Sequence, residues 1–211
     1  MAELRGLLVD YGGVLTNSLS EAMDTWLRAD GIDPERFRSL MRRWLFAGPG
    51  SNAVHDLETG RMTAEDFERQ LAAELAGSPG DLPKAAGLLT RMFSGFRPDA
   101  GMAAVVRAVR EAGFRTGLLS NSWGLDYPRE GWDLLFDVVV ISAEVGLRKP
   151  DPQIYLLAAE RLGLTPAEVV FVDDLAPNVR AAAEIGMVAV QHAGLDATVG
   201  ELETLLGLSL R

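Results

Sequence analysis

The chain contains no cysteine, which excludes disulfides, thiolate metal sites and a cysteine nucleophile and leaves the compartment unassigned. It has no apolar run approaching the roughly 20 residues a membrane span needs, and "MAELRGLLVDYGG" shows no long apolar stretch followed by a cleavage site. A soluble, cytoplasmic protein without a membrane partner is therefore the expectation. Positive charge is scarce: 20 Lys and Arg stand against 30 Asp and Glu, for a formal charge of -10. A nucleic-acid backbone or an anionic membrane surface is repelled on average, so any phosphate must be held locally. Lysine occurs only as Lys84 and Lys149, and histidine only as His55 and His192. Apolar residues are abundant, at 48% of 211, enough for one sizeable core or for a core carrying a smaller insertion.

Four apolar runs end abruptly in polar or small residues: "GLLVD" (6–10), "RTGLLSNS" (115–122), "DVVVISAE" (137–144) and "EVVFVDD" (168–174). Continuous runs of this length predict strands buried on both faces, as in a parallel sheet. "MVAVQ" (187–191) predicts one more. Between the later runs, 99–113, 151–163 and 175–186 show apolar residues at three-to-four spacing and close on a glycine suited to a helix terminus. The alternation predicts a doubly wound α/β fold with a parallel sheet.

The stretch after the first strand breaks this pattern. "SEAMDTWLRADG", "DPERFRSLMRRWLFAG", "TAEDFERQLAAELAG" and "LPKAAGLLTRMFSGF" all read as helix. Asp33 before Pro34 suits an N-cap with proline at the first helical position, and Thr63 with Asp66 resembles a capping box. The expected organisation is an α/β core of residues 1–16 and 96–211 with a helical cap, 17–95, inserted after the first strand.

In an open parallel sheet the ligand crevice lies beyond the carboxyl ends of the strands. Those ends carry Asp10, then Ser120 and Asn121, then Asp173 and Asp174. Adjacent carboxylates after a buried strand repel each other unless a cation or donors hold them. Mg²⁺ suits, since it takes oxygen ligands and is commonly held by one or two carboxylates plus phosphate and water, and Asp10 could complete the set. In "GLRKPDPQIY" Lys149 sits in a proline-flanked turn before a helix that Asp151 would cap. It reads as a solvated lysine or as a fixed charge aimed at an anion.

Taken together, "DYGGVLT" (10–16), "LLSNS" (118–122), "RKPDPQIY" (148–155) and "VFVDDLAPN" (170–178) resemble, in order, the four motifs of the haloacid dehalogenase superfamily. The helical insert resembles its C1-type cap. The pattern is similar to the phosphatase-like domains attached to epoxide hydrolases and to some acyl-CoA dehydrogenases. The resemblance implies a Mg²⁺-dependent hydrolase of a small phosphorylated molecule, as monomer or homodimer. Asp10 would be the nucleophile, forming an aspartyl intermediate. Ser120 and Lys149 would act with it, Ser120 and nearby amides holding the transferring group and Lys149 offsetting its charge. Asn121, Gly12 and Gly13 would line the substrate. Asp174, Asp10 and the Gly12 carbonyl would bind Mg²⁺, with Asp173 supporting them.

One position departs from the resemblance. Phosphatases of this superfamily carry a second Asp two residues after the nucleophile, which protonates the leaving alkoxide and then activates water. Gly12 can do neither. General acid-base catalysis contributes roughly 10² to 10⁴-fold, so its loss should hurt most with sugar alkoxides and least with acyl or aryl phosphates. Two other readings follow from Gly12: a phosphate-binding module with little turnover, and a dehalogenase or other C–X hydrolase. The retained Asp173 and Asp174 pair argues against the dehalogenase. A phosphonatase would need a cap lysine, and Lys84 lies late for that role. Cap residues normally select substrate, which makes Arg28, Arg42, Arg43, Arg61, Trp26 and Trp44 candidates. Trp123 and Tyr127 are candidates on the loop after the second strand. His192, after the last strand, could approach the crevice and stand in for the missing acid.

Overall fold

The computed structural model describes residues 3–45, 52–76 and 83–210. The apolar runs form β1 (Gly6–Val9), β2 (Arg115–Ser120), β3 (Val138–Ile141), β4 (Val169–Asp173) and β5 (Val188–Gln191), all parallel, in the order β3-β2-β1-β4-β5. The run from 137 to 144 is strand only as far as Ile141. Ser142–Val145 forms a short helix, α7, where the continuous apolar run ends at Ser142.

Side chains alternate across the sheet. Leu7 and Val9 join Val105, Val106 and Val109 of α6 (Ala100–Glu111) and Val199 and Leu202 of α10 (Leu195–Leu206) on one face. Leu8 and Phe171 join Ile154, Tyr155 and Ala158 of α8 (Pro152–Leu162) on the other, where α9 (Ala176–Glu184) also packs. Sheet residues buried on both faces explain the unbroken apolar runs.

Between β1 and α6 the described residues form five helices: α1 (Leu19–Ala29), α2 (Pro34–Leu45), α3 (Ala53–Glu58), α4 (Ala64–Leu75) and α5 (Leu88–Phe93). They gather around a hydrophobic cluster of their own that includes Trp26, Phe37, Trp44, Phe67 and Leu71. Asp33 accepts the Glu35 N–H at 3.0 Å at the start of α2. Thr63 caps α4, taking the Asp66 N–H at 3.1 Å while its hydroxyl donates to the Asp66 carboxylate at 2.7 Å. Asp is too short to reach back to the capping residue's own N–H, as the Glu of a full box does. The last helical reading is longer than the helix found: α5 begins at Leu88, after Gly87 at φ 70°. The buried Glu68 carboxylate takes the Gly87 and Leu89 N–H groups in its place. Positions 46–48, 77 and 82 of these readings lie outside the described residues.

The chain leaves and re-enters the sheet layer side by side. Thr16 bridges Pro98, Asn17 N–H donates to the Arg97 carbonyl at 3.0 Å, and the Asn17 side chain exchanges hydrogen bonds with Gly95 and Arg97.

Candidate active site

Strand order reverses between β1 and β4, so the crevice expected at a topological switch point opens between their carboxyl ends. Val9 is level with Leu118 and with Val172. The next residue, Asp10, donates its N–H to the Val172 carbonyl at 2.9 Å and thereby stands beside Asp173 at the end of β4.

Lys149 joins the two carboxylates. Its Nζ is 2.8 Å from Asp10 Oδ1, 2.7 Å from Asp173 Oδ2 and 2.9 Å from the Leu119 carbonyl. An ammonium has three protons, and all three have acceptors within the protein. The side chain is 1% exposed, so Lys149 contributes fixed charge rather than a free donor. Its backbone is clamped from both sides by Asn121, whose Oδ1 accepts the Lys149 N–H at 2.8 Å and whose Nδ2 donates to the Lys149 carbonyl at 3.0 Å. Asp151 caps α8, accepting from the Gln153 N–H at 3.0 Å, and fixes the turn that carries Lys149.

Asp173 is fully buried and held on both oxygens, Oδ1 by Leu175 N–H (2.8 Å) and Oδ2 by Lys149, with Asn178 Nδ2 3.1 Å from each. Asp174 is half-buried and faces the cavity. Its carboxylate occupies the space a side chain at Gly13 would need: a Cβ there would meet Asp174 Oδ2 at 2.5 Å, and Gly13 has φ +75°, where only glycine is unstrained. At Gly12 a Cβ would meet only Phe96 Cε1, at 4.0 Å.

Carboxylate oxygens of Asp10, Asp173 and Asp174 lie within 4.8 Å of one another. Burial pushes the Asp10 carboxyl up from its ordinary value, with Lys149 pulling back and the charges of Asp173 and Asp174 adding to the rise. Burial also lifts Asp174, to about 6, with Asp173 reinforcing it. For Lys149 burial opposes the charge, but the two carboxylates outweigh it and keep the ammonium above its ordinary value. When ionised, three carboxylates against one ammonium leave about two negative charges in a mostly buried site. All the donors are hard oxygens, and that set fits a small divalent cation such as Mg²⁺.

Both protein donors to the Asp10 carboxylate, the Tyr11 N–H at 2.7 Å and Lys149, fall on Oδ1. Among the described residues no donor meets Oδ2. The carboxylate borders a cavity of about 520 Å³ between the strand ends and the helical layer. Ser120 and Tyr127 line it, their hydroxyls 3.0 Å apart. Tyr127 also donates to the Asn121 carbonyl at 3.2 Å, and burial pushes its hydroxyl up to about 12, so it stays protonated at neutral pH.

Several candidates fall elsewhere. Arg28, Arg42, Arg43 and Arg61 are exposed and absent from the cavity lining, with Arg43 paired to Glu74 and Arg61 to Asp56. Long cationic side chains on amphipathic helices keep their heads in water. Trp26 and Trp44 are buried in the core of the helical layer. His192 donates its backbone N–H to Asp173, but its ring is bonded to Thr198 at 2.8 Å and does not line the cavity. Lys84 is exposed and precedes α5 rather than lying in a helix. Trp123 and Tyr127 do line the cavity, together with Phe93 and Phe96, which the sequence reading passed over.

Glu58 was also missed. It ends α3, is 3% exposed, and reaches from the helical layer into the site, where it takes Asn121 Nδ2 at 3.2 Å and pairs with Arg148. Its backbone carbonyl accepts from Ser142. Burial raises its carboxyl, opposed by the Arg148 charge. The available clue was the spacing of Val54, Leu57 and Glu58, which puts the carboxylate on the apolar face of its helix.

The model of the haloacid dehalogenase-like hydrolases matches residues 4–186. The chain belongs to that family. Acyl-CoA dehydrogenase family member 10 of Mus musculus is 30% identical over 98% of this chain, which spans only 19% of that protein's length. Sesquiterpene phosphatase astK of Aspergillus oryzae is 33% identical over 74% of this chain and 81% of its own. A solved haloacid dehalogenase family enzyme of Bacteroides thetaiotaomicron, in complex with magnesium and inorganic phosphate, superposes with a TM-score of 0.65 at 22% identity, over 90% of this chain and 96% of that one. The chain is thus a hydrolase of this superfamily with phosphatases among its relatives, built on the same parallel-sheet fold. Among the described residues no helix is long and apolar enough to cross a membrane.

Proposed function

We propose that this chain is a Mg²⁺-dependent phosphohydrolase of a small phosphorylated molecule, with Asp10 as nucleophile. The observation that carries the reading is the Asp10 carboxylate, tethered through Oδ1 and open at Oδ2 on the cavity, within 4.8 Å of the other two carboxylates. The phosphatase name of one relative and the magnesium and phosphate bound by one structural neighbour support it.

Asp174, Asp10 and the Gly12 carbonyl would hold Mg²⁺, which supplies positive charge to a phosphoryl group and to the attacking carboxylate. Tyr11 N–H and Lys149 fix the rotation of the Asp10 side chain, so that Oδ2 meets the phosphorus in line with the leaving oxygen. The Ser120 hydroxyl, which donates to Tyr127 while Tyr127 donates to the Asn121 carbonyl, would turn to donate to a transferring oxygen when substrate binds. Asn121 works indirectly, holding the Lys149 backbone. Asp173 aligns Lys149 and the start of α9. The two chain crossings joined by the isolated Thr16–Pro98 bridge would be the connection through which residues 17–95 cap the core.

A weakly active phosphate-binding module is the second reading, favoured by Gly12. The deciding experiment measures phosphate release from acetyl phosphate and p-nitrophenyl phosphate, with and without Mg²⁺, in wild type and Asp10→Asn. Metal-dependent turnover lost in the variant supports the hydrolase. Phosphate binding without turnover above the uncatalysed rate supports the module.

A further inference from the structure

Part of the cavity lining is aromatic and aliphatic. Phe93 lies 4.9 Å from Phe96 and 5.7 Å from Trp123, centroid to centroid, and Leu19, Leu45 and Leu125 belong to the same lining. Two of these rings come from the end of the helical layer and one from the loop after β2. A ligand ring placed against them would have aromatic partners for edge or tilted contacts.

The charged lining points the same way. Among the described residues the only cation in the lining is Lys149, whose three protons are engaged, whereas Asp126 adds negative charge beyond the three carboxylates and Glu58 is already paired with Arg148. Nothing among these lining residues would pair with a second anionic group on the substrate, and Asp126 would repel it.

Gly12 supplies the chemical half. Without an acid at that position the leaving oxygen departs with its electron pair unprotonated. A phenoxide tolerates this, since a phenol's pKa is about 10, whereas an alkoxide, at a value near that of water, does not.

We infer that the substrates of this site are phosphomonoesters of uncharged phenols or fused-ring phenols, an inference that rests on the phosphohydrolase reading. Asp10 Oδ2 bonds to phosphorus as the P–O(aryl) bond breaks, and the aryl oxide leaves with that electron pair. Water then attacks the phosphorus of the aspartyl phosphate, the P–O bond to Asp10 breaks and the carboxylate is restored. The water oxygen ends on dihydrogen phosphate, which gives up one proton through solvent to the aryl oxide. Ester and water have become phenol and hydrogen phosphate.

The test compares kcat/KM with Mg²⁺ for phenyl, 2-naphthyl, 3-carboxyphenyl and 2-phenylethyl phosphate, with acetyl phosphate and the Asp10→Asn variant as controls. Expected are rates for 2-naphthyl at least equal to phenyl, a KM for 3-carboxyphenyl at least tenfold higher, and 2-phenylethyl slower than phenyl by roughly 10² to 10⁴-fold. Phe96→Ala should raise KM for 2-naphthyl phosphate more than for phenyl phosphate. If 2-phenylethyl phosphate came within tenfold of phenyl phosphate, or the carboxylated ester matched its parent, the aryl preference would be wrong while the phosphohydrolase stood. Asp10-dependent turnover of acetyl phosphate alone would also overturn it. No Asp10-dependent turnover of any of the five would remove both readings.

Discussion

If the missing carboxyl at position 12 is what confines this site to good leaving groups, putting it back should widen the substrate range. Gly12→Asp is unusually well suited to the test. The backbone at Gly12 lies outside the left-handed region, and a Cβ there meets nothing closer than Phe96 Cε1 at 4.0 Å. The substitution leaves the Gly12 carbonyl in place, so the metal ligand proposed there is kept. The new carboxyl would enter a site already holding Asp10, Asp173 and Asp174. Like charge and burial would raise its pKa, which is what a proton donor at neutral pH requires.

The gain should equal the contribution of general acid-base catalysis, roughly 10² to 10⁴-fold, or about 3 to 5 kcal/mol of barrier. It should appear almost entirely with alkyl esters. The assay is kcat/KM for phenyl phosphates of graded phenol acidity together with 2-phenylethyl phosphate, in wild type and Gly12→Asp. The wild type should show a steep dependence on leaving-group pKa and the variant a shallow one, the two converging at the most acidic phenol. A variant that folds, binds Mg²⁺ and turns over p-nitrophenyl phosphate normally, yet is no faster on 2-phenylethyl phosphate, would refute the reasoning. The limit would then lie in how the cavity holds the ester.

Gly13→Ala should cost about 1 to 2 kcal/mol in backbone strain and, by pushing Asp174 from its place, weaken Mg²⁺ binding at least tenfold in a calorimetric titration; unchanged affinity would separate Gly13 from the metal site. Asp174 is raised to about 6 and Asp10 is raised as well, so the metal-free fold holds these protons more tightly than the unfolded chain and loses their stabilising contribution as pH rises from about 4 through 6 and beyond. Mg²⁺ competes with the same protons, and the rise in Tm that it produces should be larger at pH 7.5 than at pH 5.5; an equal rise at both would be evidence against those carboxylates as ligands. Glu58→Ala strands Arg148 and frees one Asn121 contact, so it should cost about 3 kcal/mol or more in urea unfolding. Arg148→Met in the same background should add much less than it costs alone, since the two share one interaction; additive losses would show that they act separately.

The parts of this molecule legible in the sequence are those in which a single element carries its own pattern. A strand buried on both faces must be apolar at every position, so "LLV" and "VVFV" announce themselves, and the first polar residue after each marks the crevice because all five strands point the same way. That logic reaches Asp10, Ser120, Asn121, Asp173 and Asp174 without a structure, and the proline-flanked turn reaches Lys149. It fails where two elements distant in sequence meet. Which rings of the helical layer face the strand ends depends on how that layer sits on the sheet, and no periodicity within α5 distinguishes Phe93, on the cavity, from Met92, in the core. Choosing cap residues by type favoured the arginines, yet the driving force that buries a helix face turns its arginines outward. Glu58 illustrates both halves. Its place on an apolar helix face could be counted from Val54 and Leu57, but its partners Asn121 and Arg148 lie 63 and 90 residues away. A buried carboxylate needs such partners, so the spacing alone implies that partners exist, and only the packing of the two layers identifies them.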